Sequence, residues 1–82
     1  MIAGDILQPM QCRMARTALG WSLDALAERT GINRKTILRF EQGGSAMRPR
    51  NLQTLRCAFE AAGVTFIDEG RHAGGVVPPP SR

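Results

Sequence analysis

Three observations predict a mainly α fold, a compact four-helix domain ending in a short β-strand or hairpin. Apolar residues recur three and four places apart in four successive stretches, the period of a helix with one buried side. Each stretch is bounded by residues that start or stop helices: Pro9, Ser22, Asn33 and Pro49 in front, Gly20, Gly31, Gly43 and Gly63 behind. One run alone, Val64 to Ile67, is built from β-branched and aromatic residues. With 82 residues there is room for one domain. A domain of this size buries so modest a share of its surface that dimerisation is a common source of extra stability.

Residues 1–8 are mixed in character and form a lead-in to which no structure is assigned. Pro9 suits the first position of a helix, where its missing amide hydrogen costs nothing, and Cys12, Ala15 and Leu19 then form a core stripe. Helix one runs from Pro9 to about Leu19 and breaks at Gly20. Trp21, the single tryptophan, reads as a packing residue under the next junction rather than a platform for a base. Ser22 caps helix two, Leu23 to about Thr30, which carries Leu23, Leu26 and Ala27 inward, Asp24 in its first turn and Arg29 in its last.

Gly31 permits the sharp reversal that follows, and Asn33 caps helix three, Arg34 to about Gln42, with Ile37 and Phe40 on its inner side. Gly43, Gly44 and Ser45 end that helix. A loop to Arg50 places Arg48 and Arg50 on either side of Pro49, which stiffens their direction. Helix four starts at Pro49 or Asn51 and reaches Ala62, its apolar side made of Leu52, Leu55, Phe59 and Ala62. The domain therefore covers 9–63, a β segment covers 64–77, and the proline run opens a mobile tail over 78–82.

A four-residue strand needs a partner. Gly74 to Val77 is the one candidate within the chain; the other is the same strand of a second subunit, which would make Val64, Thr65, Phe66 and Ile67 a dimerisation element. The dimer is the preferred reading.

Charge gives the chemistry. The outward side of helix three carries Arg34, Lys35, Leu38 and Arg39, and taken alone such a side is a solvated surface. Its setting reverses that weighting: Ala27, Gly31, Ile37 and Phe40 have the spacing of two helices crossing steeply at close range. From Asn33 to Arg50, moreover, Arg34, Lys35, Arg39, Arg48 and Arg50 face Glu41 as the one anion, so this window carries the whole net charge of +4. Cations clustered on one segment fit a phosphate-bearing partner.

Other classes are poorly supported. The two cysteines, Cys12 and Cys57, lie in helical apolar patterns, and no signal peptide precedes them, which fits a reduced cytoplasmic chain. No apolar run reaches membrane-spanning length. Two distant cysteines and one histidine lack the spacing of a metal site, so no metal or cofactor is expected. An enzyme is not expected either: there is no tyrosine and no plausible carboxylate pair, and His72 in its glycine-flanked tail reads as solvated rather than as a general base. Too few residues follow Ile67 to build a pocket for a small-molecule ligand.

Residues 11–62 resemble the Cro and lambda-repressor-like (XRE) family of bacterial and phage transcription regulators. The resemblance rests on ARTALGWS at 15–22, ALAERTGINRKTILRFEQG at 25–43 and RPRNLQTL at 48–55, and AAGVTFIDE at 61–69 is similar to a closing segment of small regulators of this type. It implies a lambda-repressor-like helix-turn-helix domain whose third helix enters the major groove of duplex DNA with Arg34, Lys35, Leu38 and Arg39. Asn33 at its cap then reaches a phosphate or a base. It also implies that Arg16 and Glu41 form a charged pair linking helix one to the end of helix three; with Arg16 beside the Ala15 and Leu19 stripe and Glu41 directly after Phe40, the pair is preferred over two unrelated surface charges. One position departs from the family: a glutamine that often anchors a phosphate at the start of helix two is Leu23 here. Anchoring there falls to Ser22 and the backbone amides of the helix start.

On this reading arginine and lysine donate to guanine O6 and N7 and Leu38 meets a thymine methyl, which chooses sequence. Ser22, Thr36, Arg48, Arg50, Arg13 and the Gly43 and Gly44 amides hold phosphates, which supplies affinity without reading bases. The expected function is sequence-specific binding of double-stranded DNA as a homodimer on an inverted repeat, in the cytoplasm with the nucleoid. The alternative is the antitoxin of a toxin-antitoxin pair, which binds its operator through the same helices and a toxin through another face. A protein partner is thus either a toxin or RNA polymerase.

Overall fold

A computed structural model describes residues 6–80. Four helices follow one another, α1 (Pro9–Ala18), α2 (Leu23–Thr30), α3 (Arg34–Glu41) and α4 (Pro49–Ala61), and two short strands, β1 (Thr65–Phe66) and β2 (Val76–Val77), close the chain. The predicted helices are present within a residue of their expected ends. Leu19, Gln42 and Ala62 cap α1, α3 and α4 from just outside.

Local chemistry explains the boundaries. The Ser22 hydroxyl accepts from the Ala25 amide at 3.0 Å, and the Asn33 side-chain oxygen accepts from the Lys35 amide at 2.8 Å. Between those caps Gly31 takes φ +74°, a left-handed conformation, and its amide closes on the Ala27 carbonyl at 2.8 Å. The turn between α2 and α3 is therefore as short as the sequence requires, and the two helices pack on each other.

The core is one cluster. Cys12 and Ala15 of α1, Leu26 of α2, Ile37 and Phe40 of α3, and Leu52, Leu55 and Phe59 of α4 meet in it, with Leu19, Trp21, Leu23 and Ala27 packed against its edge. Trp21 stacks on Phe59 with ring centroids 5.9 Å apart, and the Arg29 guanidinium lies over the indole, 4.2 Å from its centre. Packing accounts for Trp21 in full. The lead-in contributes more than expected: Leu7 is 1% exposed and belongs to the core, because α4 sends Arg56 to the Ile6 carbonyl at 2.9 Å and holds the segment down. Residues 1–5 lie outside the described residues.

Of the two partners open to β1, the chain supplies its own. Thr65 pairs with Val77 and Phe66 with Val76 in an antiparallel hairpin, extended by Ile67 and Gly75 at 3.0 Å. Val64 and Phe66 are thereby buried in the core of the same chain and offer no side chain to a second copy; Thr65 and Ile67 keep surface. The expectation that all four residues form a dimer surface is corrected to that extent. Arg56 braces the hairpin, with its guanidinium 4.9 Å from the Phe66 ring and bonded to Asp68 at 2.8 and 3.1 Å and to Glu60 at 3.1 Å.

Within the expected tail, Pro79 sits beside the end of α4: a Cβ on Gly63 would lie 2.8 Å from that of Pro79. Residues 81–82 lie outside the described residues.

Candidate nucleic-acid interface

Helix α3 has two unlike sides because Ile37 and Phe40 are drawn into the core. Turning those two inward leaves Arg34, Lys35, Thr36 and Arg39 exposed and Leu38 half-buried. Arg34 and Leu38 stand one turn apart, as do Lys35 and Arg39, so the four share the outward side. Asn33 is exposed at the start of this side. Its oxygen is committed to the Lys35 amide, and its amino group is left to donate.

The attitude of α3 is fixed from within. Arg16 of α1 grips Glu41 at the end of α3 through Nε to Oε2 at 2.8 Å and Nη2 to Oε1 at 2.9 Å, while Nη1 donates to the Trp21 carbonyl at 3.0 Å. The two residues that the resemblance pairs therefore meet as a two-pronged ion pair. The Glu41 side chain is only 4% exposed. Its hydrogen bond holds the Arg16 guanidinium further above its ordinary pKa. The Cys12 thiol donates to the same carboxylate at 3.4 Å; burial first, and Glu41 second, push this thiol far above its ordinary pKa, and Arg16 only partly opposes them.

The expected phosphate contacts divide. Arg48 and Arg50 are exposed on either side of Pro49, and Thr36 is exposed on α3. The Ser22 oxygen accepts from the Ala25 amide as the cap of α2, and its hydroxyl proton remains to donate. Gly43 and Gly44 must be removed from the set. Their amides donate to the Phe40 and Arg39 carbonyls, each at 2.9 Å, the paired closure that ends a helix on a left-handed glycine. Amides spent on the helix cannot also grip a phosphate. Arg13 is exposed on α1 beside Met10, Met14, Thr17 and Ala18, which line a shallow apolar groove on that helix rather than on α3.

One contact was not foreseen. Arg34 Nε lies 2.8 Å from Asp24 Oδ1, an ion pair that joins the first turn of α2 to the first turn of α3. The two residues are ten apart and lie on either side of a reversal, so no helical spacing could mark them. Among the described residues Lys35, Arg39, Arg48 and Arg50 have no such partner.

A comparison with protein-family models matches residues 13–62 to the model described as helix-turn-helix, well over half of the chain. The chain belongs to the helix-turn-helix family. Its matched segment spans all of α2 to α4 and most of α1, so the Arg16–Glu41 pair and the outward side of α3 lie within it. A helix-turn-helix of this XRE-like kind carries a DNA-binding regulatory function. Within it Leu23, at the position where the family often has glutamine, packs against the apolar core. A search of curated proteins found no match to this helix-turn-helix chain.

Proposed function

We propose that the protein is a sequence-specific transcriptional regulator that binds duplex DNA as a homodimer, with α3 of each subunit in the major groove of an inverted repeat. The observation that carries this reading is the outward side of α3, where Arg34, Lys35 and Arg39 are exposed around a half-buried Leu38. Guanidinium and ammonium groups donate to guanine O6 and N7, and a leucine presents an apolar surface to a thymine methyl. Arg48 and Arg50 add cations without base-reading geometry, suited to phosphates. Two such subunits related by a twofold axis set their recognition helices about 34 Å apart, one turn of DNA. Repression or activation then follows from where the repeat lies relative to polymerase, in the cytoplasm with the nucleoid.

Selection of bound fragments from a random duplex pool at two salt concentrations tests this. An enriched palindrome is the expected result, and binding with no sequence preference would refute it. Arg34→Ala should cost roughly 1–3 kcal/mol on the selected site and relax preference at one base pair. Arg50→Ala should weaken binding to all sequences alike and reduce the salt slope by about one. Titrations on selected and scrambled duplexes separate the two.

A second reading, an antitoxin with its own operator and a toxin partner, is favoured by the groove lined by α1, where Met10 is 60% exposed. Co-purification of a specific small protein from the native host, lost on Met10→Glu while DNA binding persists, supports it.

A further inference from the structure

The pairing of Asp24 with Arg34 gives the first residue of α3 a different task from the other cations around it. Both side chains are open to water, 79% and 52% exposed, so neither is held there by burial. Asp24 belongs to the first turn of α2, where the helix dipole favours an anion, and Arg34 to the first turn of α3, where it disfavours a cation. The ion pair relieves Arg34 of that unfavourable position and leaves the pair close to neutral.

Neutralisation changes what an arginine is good for. A free guanidinium near DNA is drawn to phosphates by its charge, wherever along the duplex they lie. Paired with a carboxylate, it loses most of that pull and keeps its directional donors. The closest approach is from Nε at 2.8 Å, and the two Nη groups remain as donors. Those two groups are the end of the fork that matches O6 and N7 of one guanine. Leu23 beside Asp24 has no donor to offer a phosphate, so any grip at the start of α2 is left to the Ser22 hydroxyl and the backbone amides, and Asp24 is left to Arg34.

Resting on the regulator reading, we infer that Asp24 is a positioning residue that turns Arg34 from a phosphate-seeking cation into a reader of a single guanine in each half-site. Arg48 and Arg50, without such partners, supply the salt-sensitive affinity.

The test uses the full chain on the duplex selected from the random pool, and on copies with each guanine of the half-site replaced in turn, over a range of salt. Wild type, Asp24→Asn, Arg34→Ala and the double variant are compared, with melting curves to show that each is folded. Wild type should prefer guanine by about 5- to 150-fold at one of these positions. Asp24→Asn should lose most of this preference, bind unrelated DNA more tightly and steepen the salt slope by about 0.9, the value for one newly neutralised phosphate. Arg34→Ala should lose the preference with little change in slope, and the double variant should discriminate no worse than Arg34→Ala alone. Undiminished guanine preference in Asp24→Asn, or a salt slope that falls by a full unit in Arg34→Ala, would overturn the inference. A wild-type chain that selects no sequence would overturn the regulator reading instead, so the two failures are told apart.

Discussion

Glu41 takes two hydrogen bonds from Arg16 and one from Cys12 while almost shut off from water. Replacing it with glutamine keeps the shape and removes the charge, leaving a guanidinium in a half-closed site with no counter-ion. Glu41→Gln should cost roughly 2–3 kcal/mol, less than for a fully enclosed pair because Arg16 still touches water. Arg16→Met with Glu41→Leu should recover much of the loss in urea titrations; a double variant as unstable as the single one would contradict this account. The pair was legible in the sequence chiefly through the family resemblance, with the placement of both residues beside core stripes in support, since nothing in the spacing of residues 16 and 41 marks a contact. Ser22 and Asn33 were legible outright, because a cap acts on amides two or three residues away. Asp24 with Arg34, and Leu7, Ile32 and Met47 in the core, were not: each sits where tertiary packing, and no local period, decides its surroundings.

At the scale of elements, the glycines that end helices differ in what stands beside them. Gly43 has φ +75° and nothing within 4 Å of where a Cβ would go, so Gly43→Ala should cost about 1 kcal/mol, the backbone penalty alone. Gly63 has φ +99° and Pro79 at 2.8 Å, so Gly63→Ala should cost more, by the work of displacing the proline run. Thermal melts of both variants measure the difference, and equal losses would show that the run contributes nothing. All four helices were readable from the sequence because their stops and starts are adjacent in the chain. The seating of Pro79 was not, since a proline run carries no sign of what it lies against. The sequence offers the Gly43 and Gly44 amides to phosphates, whereas the end of α3 uses them itself.

For the whole molecule, Arg56 is the tie between lead-in, α4 and hairpin, reaching Ile6, Glu60 and Asp68 at once. Its hydrogen bond holds the Asp68 carboxyl below the usual carboxylate range. A carboxyl whose pKa is lowered by folding stabilises the fold above its unfolded pKa, and that contribution fades as pH falls through the folded value. Asp68→Asn should therefore be less stable than wild type at neutral pH and equally stable in strong acid, as read from denaturant midpoints across the acid range. A difference that persists unchanged at low pH would count against the ion pair. Such long-range ties set how the hairpin sits on the helices and have no sequence period. The two sulfhydryls finally give the molecule a gauge of its own integrity. Cys57 is open and Cys12 is sealed, so a brief pulse of alkylating reagent should add one mass increment to every intact molecule and a second only to those that have opened. The ratio of singly to doubly tagged chains then reports the fraction unfolded without a probe being engineered, and DNA bound to the intact form should lower that fraction in proportion to its affinity.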